Sequence, residues 1–263
     1  MPKLALVPIV VSAAVALAAC SRPPEAPTEL EELCAFLYEH LPDEDPEALS
    51  VAVDNLERWL DGELEGLVEG YTVATMSQAA LDALEGDHER DATAMVGGAV
   101  GTVSDFGVGD IVATIMLEDP LEVYPEQYHQ WDRTFRDDPA CFVGRDCESI
   151  LYDNATEAAL PLNLRMASEN TAQYRWVEAS IGATVVSRSW IAAPARDNLG
   201  VLRVQDQHYL SVTMPHGGEL VRVQAVWADA EIIGLEVPEA TALNMLISSM
   251  ISQDEAMYAW LAD

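Results

Sequence analysis

The sequence predicts an α+β protein in which an N-terminal helical segment is followed by an antiparallel sheet and then by one long C-terminal helix. Three observations carry this. Apolar residues recur at helical spacing over 28–61, strand-like segments fill 148–229 with apolar/polar alternation in the hairpin 204–229, and helical spacing returns from Pro238 onward. The 263 residues, half of them hydrophobic, are enough for one large domain with a helical annex and mark a folded chain. Against 13 Lys and Arg stand 45 Asp and Glu, a formal charge of −32. So acidic a surface repels polyanions before any specific contact forms, which excludes nucleic acid and anionic membrane surfaces as partners.

The N-terminus reads Lys3, then an apolar run from Leu4 to Leu17 that is too short and too rich in alanine for a bilayer span. The run ends in Leu17-Ala18-Ala19-Cys20, which resembles the lipobox of bacterial lipoproteins. That resemblance implies a signal peptide over 1–19, diacylglycerol and palmitate on Cys20, and export to the cell envelope of a Gram-negative bacterium. Ser21, where Asp would retain such a protein at the inner membrane, implies an outer-membrane anchor. The competing reading is an ordinary secretory signal with an incidental cysteine. Residues 20–28, with Pro23, Pro24 and Pro27, form a short extended lipidated tether. Lys3 is the sole lysine, so cleavage leaves an acidic, lysine-free surface that stays soluble at high ionic strength.

A helical annex is expected over 29–93. Thr28 caps a first helix with Glu31 three residues on, and Leu30, Leu33, Cys34, Leu37 and Leu41 form its stripe up to Pro42. A second helix starts near Pro46, carries Leu49, Val53, Leu56, Trp59 and Leu60, and ends at Gly62. The two form a helical hairpin. Ser77 opens a third, short helix with Ala80, Leu81 and Leu84.

The second domain is expected over 94–263. Residues 94–103 are β-branched and glycine-rich enough for a strand, and Ser104 or Asp105 caps a helix from Phe106 to Leu117. A short helix or turn over 126–135 gathers Tyr128, Trp131 and Phe135. Strands follow at 148–153, 160–168, 172–179 and 183–192, then a hairpin of 204–214 and 219–229 joined by Pro215-His216-Gly217-Gly218. On its arms His208, Leu210, Val212, Met214, Val221, Val223, Ala225 and Trp227 make one apolar face. The closing helix carries Leu243, Leu246, Ile247, Met250, Ile251, Met257 and Leu261, a stripe that needs a large surface to pack on.

With Cys20 lipidated, three cysteines remain. Cys141 and Cys147 bracket a polar, glycine-containing stretch, and an oxidising envelope compartment favours a short-loop disulfide between them. Zinc is the rival reading, although neither CxxC nor HExxH occurs, so no metal is assigned. Cys34 belongs to a helix stripe and reads as core.

The order of strand, helix, Trp-bearing turn, antiparallel strands and long terminal helix resembles the helix-grip fold of the START and polyketide-cyclase-like superfamily. The resemblance rests on 97–263, on Val108–Leu117 after the first strand and on Trp131 beyond it. It implies a curved sheet wrapped around the last helix and a cavity for a lipid or other apolar small molecule. A lipocalin-like barrel is the structural competitor.

GxSxG, SxxK, GxGxxG and EF-hand spacings are lacking, and His216-Gly217-Gly218 is explained by its hairpin turn. The expectation is therefore a protein without catalysis and without a cofactor, anchored to the membrane and binding an apolar or amphipathic ligand. The alternative is an envelope scaffold that uses the helical hairpin as its partner surface. Arg175, Arg188, Trp190, His208 and Trp227 are the candidate ligand-binding residues. A cavity-facing guanidinium would need a carboxylate or an anionic head group, whereas an outward one would pair with surface acids.

Overall fold

The computed structural model describes residues 25–86, 88–235 and 237–263; the lipobox and Cys20 lie outside the described residues. In chain order the elements are α1 (Leu30–His40), α2 (Glu47–Leu67), β1 (Tyr71–Thr72), α3 (Gln78–Asp82), β2 (Val96–Ser104), α4 (Val108–Ile115), β3 (Tyr128–Phe135), α5 (Pro139–Val143), β4 (Ser149–Leu160), β5 (Leu164–Ala179), β6 (Gly182–Ile191), β7 (Ala195–Asp197), β8 (Leu202–His216), β9 (Glu219–Ile232) and α6 (Glu239–Ala262). Among the described residues the strands form one antiparallel sheet in the order β1-β2-β9-β8-β6-β5-β4-β3, with β7 paired to β5 and β8. Because β1 and β3 are open edges, the sheet is not a closed barrel of the lipocalin kind.

The sheet separates two cores because side chains alternate along each strand. On one face the apolar hairpin residues Leu210, Val212, Val221, Val223 and Trp227 share a core with Leu33, Leu37, Leu49, Leu56 and Leu60 of α1 and α2. Each of those fully buried leucines contributes about 2 kcal/mol of apolar transfer free energy. The stripe that a scaffold would offer to a partner is thereby spent on the sheet. On the other face Val100 and Val226 meet Ile247 and Met250 of α6, and Ile111 of α4 meets Leu220 and Met257. The α+β arrangement of a sheet gripping its C-terminal helix is the one expected.

Close approach on both faces of β2 depends on missing side chains. A Cβ on Gly97 would sit 2.6 Å from the Trp227 indole and one on Gly101 2.6 Å from Leu67 on the helical side, and one on Gly98 would collide with Leu243 of α6 on the other. Several boundaries differ from those expected. Thr28 does not cap α1; Glu29 occupies the N-cap and the Thr28 hydroxyl donates to the Glu29 carboxylate instead. Helix α2 runs past Gly62 to Leu67, because Leu67 finds a seat over Gly101. Helix α4 starts at Gly107, whose N–H donates to the Asp110 carboxylate at 2.9 Å, and not at Ser104 or Asp105. Ser77 does cap α3, accepting from the Ala80 N–H.

The largest correction concerns 126–135. Tyr128, Trp131 and Phe135 have helical spacing, but 128–135 is the edge strand β3, paired to β4. A bulge between Tyr128 and Gln130 returns Tyr128 to the side of Trp131, with the two rings 4.4 Å apart. The expected strands 148–153, 160–168 and 172–179 are two long ones, β4 and β5, turning at Pro161-Leu162-Asn163, where Leu162 and Asn163 have φ of 63° and 59°. The β8–β9 turn is as expected: Gly217 and Gly218 have φ of 62° and 95°, the left-handed pair that a two-residue hairpin loop requires.

Candidate functional site

Between the concave face of the sheet and α6 lies a cavity of about 440 Å³. Its apolar side comes from Ala242, Met245 and Leu246 of α6 and its aromatic side from Tyr124, Tyr128 and Trp131. Tyr124 lies 5.6 Å from Trp131 and nearly parallel to it. Burial pushes the phenols of Tyr124 and Tyr128 well up, and that of Tyr209 to about 12, so all three are neutral donors at physiological pH.

The strands supply a polar wall. Alternation brings Asn154 and Thr156 of β4, Ser168 and Asn170 of β5, Ser187 and Ser189 of β6, Gln207 and Tyr209 of β8, and Arg222 and Gln224 of β9 to one lining. These groups are largely organised before any ligand arrives. Gln207 donates to the Tyr209 hydroxyl at 2.6 Å, and Thr156 and Ser168 share a hydroxyl contact at 3.0 Å.

One carboxylate anchors α6 to this wall. Asp254 is fully buried and accepts from Arg222, from Gln224 at 2.7 Å and from Thr102 at 2.5 Å. Burial pushes its carboxyl up, against the pull of the Arg222 charge and of these hydrogen bonds. Arg222 also donates to the Ser211 hydroxyl at 3.0 Å, and the adjacent carboxylate keeps it protonated. This pair is internally compensated.

Of the five expected ligand residues Arg188 and Trp190 border the cavity, and Arg175, His208 and Trp227 do not. All five make their contacts on the opposite face of the sheet, against the N-terminal helices. Arg175 donates to Glu148 at 2.7 Å and to the carbonyls of Leu41 and Asp43. Arg188 stacks over Tyr38 and Trp190, and the Trp190 indole donates to the Glu85 carbonyl at 3.0 Å. Trp227 donates to the Ala74 carbonyl at 2.9 Å. His208 is completely buried, with Nδ1 3.0 Å from the Tyr38 hydroxyl and Nε2 2.9 Å from Asp206. The side-chain partners of all five lie on the helical side, although Arg188 and Trp190 of β6 also border the cavity, so the strand alternation, not the residue type, decides which face each side chain serves.

The residues that line the cavity are polar members of strands, a type that by itself does not mark a binding wall. A signal was present: Asn154, Thr156, Ser168 and Asn170 recur at spacing two, and Asp254 interrupts an apolar stripe between Met250 and Met257. Cys141 and Cys147 form a disulfide that closes the turn after α5, with Phe142 buried beneath it. Cys34 is buried, and its thiol is pushed up to about 12 by desolvation.

Among the described residues one group has the composition of a metal site: Glu57, Asp61 and His216. Nδ1 of His216 faces Glu57 at 3.7 Å and Nε2 faces Asp61 at 4.0 Å. Each carboxylate lies nearest a different ring nitrogen, so the three bring α2 up to the β8–β9 turn.

The chain matches no protein-family profile and no curated protein sequence. It is similar in fold to solved structures. A STAR-related lipid transfer protein from Xanthomonas axonopodis shares 12% identity over 64% of this chain and 86% of that one, with a TM-score of 0.43. Human STARD10 shares 10% over 80% and 79%, with a TM-score of 0.40. The di-domain ARO/CYC protein StfQ of steffimycin biosynthesis shares 11% over 64% of this chain and 50% of its own, with a TM-score of 0.41.

Proposed function

We propose that this protein is an exported, outer-membrane-anchored lipoprotein that holds an amphipathic small molecule between its sheet and α6 and performs no chemistry on it. The cavity carries the reading. At about 440 Å³ it falls within the roughly 300–1,000 Å³ of sites that bury small molecules, and it joins an apolar side to a row of hydrogen-bonding groups.

Binding without catalysis is supported by the state of the ionisable groups. Asp254 has its oxygens taken up by Arg222, Gln224 and Thr102, and the phenols of Tyr124, Tyr128 and Tyr209 are held neutral as hydrogen-bond donors. The mouth is suited to a greasy ligand. Leu162 is 91% exposed, Leu199 71% and Leu235 62%, and their loops cluster at the end of the sheet where Leu160, Leu202, Ile232 and Val237 line the cavity.

Native mass spectrometry of the full chain carrying Cys20→Ser, purified from a bacterial periplasm, tests the reading. The expected result is a mass excess that disappears on organic extraction. An unmodified mass, unchanged after incubation with mixed lipids, overturns it. The anchor is tested separately on the native chain. Its intact mass is expected to lack residues 1–19 and to carry acyl chains on Cys20, and a chain beginning elsewhere refutes that part.

A further inference from the structure

The polar wall contains one chain of hydrogen bonds whose direction is fixed by chemistry. The Asn154 side-chain oxygen accepts from Trp131 Nε1 at 2.9 Å and from Arg133 Nε at 3.0 Å. An indole and a guanidinium are donors only, so this amide has one permitted orientation, with its NH2 turned away. That NH2 donates to the Asn170 oxygen at 2.9 Å. Asn170 must therefore present its own NH2 at the far end, where no acceptor meets it among the described residues, and Asn170 lines the cavity.

The near end is also a donor. Nη1 of Arg133 is spent on the carbonyls of Ile115 and Leu117, at the C-terminal end of α4, and Nε on Asn154, whereas Nη2 has no partner among the described residues. The guanidinium carbon lies over Tyr152, 4.5 Å from the ring centroid, and is flanked by Trp131 and Phe135. Among the described residues no carboxylate oxygen lies within 4.0 Å of it, although the chain has 45 Asp and Glu. Glu118, Asp119 and Asp132 share a shallow outer depression with Arg133 and stop short of pairing. Arg222, the other arginine of the cavity, is by contrast neutralised by Asp254.

A fixed network that holds a guanidinium without a carboxylate partner at one end is complementary to an oxyanion there. We propose that Arg133, positioned through Asn154 and Asn170, binds the anionic head of the ligand, a carboxylate or a phosphate monoester. The Tyr124, Tyr128 and Trp131 rings and the apolar side of α6 then hold its body. This rests on the cavity reading above and narrows it to acidic amphiphiles. Recognition has to be local, because the charge of −32 repels anions at long range.

The test is calorimetric titration of the full Cys20→Ser chain with four probes of equal chain length: dodecanoate, dodecyl phosphate, dodecanol and methyl dodecanoate. At least one acid is expected to bind tenfold or more tightly than the alcohol and the ester, as befits a charge-assisted hydrogen bond, and the tighter acid names the head group. Arg133→Met is expected to abolish that ratio by lowering acid affinity tenfold or more, and Asn170→Leu, which releases the Asn154 amide, to reduce it several-fold. Should Arg133→Met fail to fold, the wild-type ratio and Asn170→Leu decide alone. Equal affinity for acids and alcohol overturns the anionic subsite and leaves the cavity reading standing. Absence of binding by all four probes overturns the subsite, and together with an empty native mass it overturns the cavity reading as well.

Discussion

Asp206 shows how much one buried residue can govern. It lies 2.9 Å from His208 Nε2, 3.4 Å from His88 and 3.5 Å from Arg90, and His208 in turn meets Tyr38 of α1. Burial alone would raise the Asp206 carboxyl, yet the hydrogen bond from His208 and the charges of His208, Arg90 and His88 hold it below the usual carboxylate range. A carboxyl whose folded pKa is depressed stabilises the protein above its unfolded value of about 3.9 and loses that contribution as the pH falls through the folded value. Chemical denaturation followed from pH 6 to pH 2 should therefore show a steeper acid loss in the wild type than in Asp206→Asn. At pH 7 the variant should be less stable by about 3 kcal/mol, since it leaves Arg90 and the two histidines without their anion. Gly97→Val should cost a further 1–3 kcal/mol by overpacking, roughly the range for extra methyl groups in a filled core, because its Cβ would meet the Trp227 indole. His208, Trp190 and Trp227 were legible as unusual residues in apolar strands. That their side chains serve the helical side of the sheet was not legible, because a one-residue parity shift exchanges the two faces and both faces here are covered.

At the scale of elements, α6 is held by an ion pair as well as by apolar packing. Asp254→Ala would strand the buried Arg222 and is expected to cost about 3–5 kcal/mol, with hydrogen exchange of α6 rising more than that of β8 and β9. The double variant Asp254→Ala, Arg222→Met should recover part of that loss, because removing both charges removes the desolvation cost. Reduction of Cys141–Cys147, a cross-link across a separation of six residues, should lower stability by roughly 2 kcal/mol as judged by the denaturation midpoint. Helices α1 to α3 and the β8–β9 hairpin were readable because their signals are local: capping by Ser77, periodic leucines and paired glycines. Strand β3 was not readable, since its aromatic spacing fits a helix and only the pairing with β4 and the bulge at Tyr128 make it a strand. Strands β4 and β5 looked interrupted at 154–159 and 169–171 for a related reason: their inner residues are polar because they face a cavity and not a core.

At the scale of the molecule, the charge of −32 is a global self-repulsion that short-range contacts must offset. Raising the salt from 20 mM to 1 M should screen it and raise the midpoint of thermal unfolding, read by circular dichroism, whereas an unchanged or lower midpoint would mean that local ion pairs outweigh the long-range field. What the sequence determined alone was what depends on composition and near neighbours: the acidic surface, the helical hairpin, the cysteine pair and the order of elements that resembles a helix-grip. What only the tertiary structure decided was the side of the sheet on which each strand residue stands. Arg175, Arg188, Trp190, His208 and Trp227 turn toward α1 and α2, and Arg133, Asn154 and Asn170 turn toward α6. Alternation along a strand assigns residues to two sets, and long-range packing of helices on both sides is what makes one set a core and the other a cavity wall.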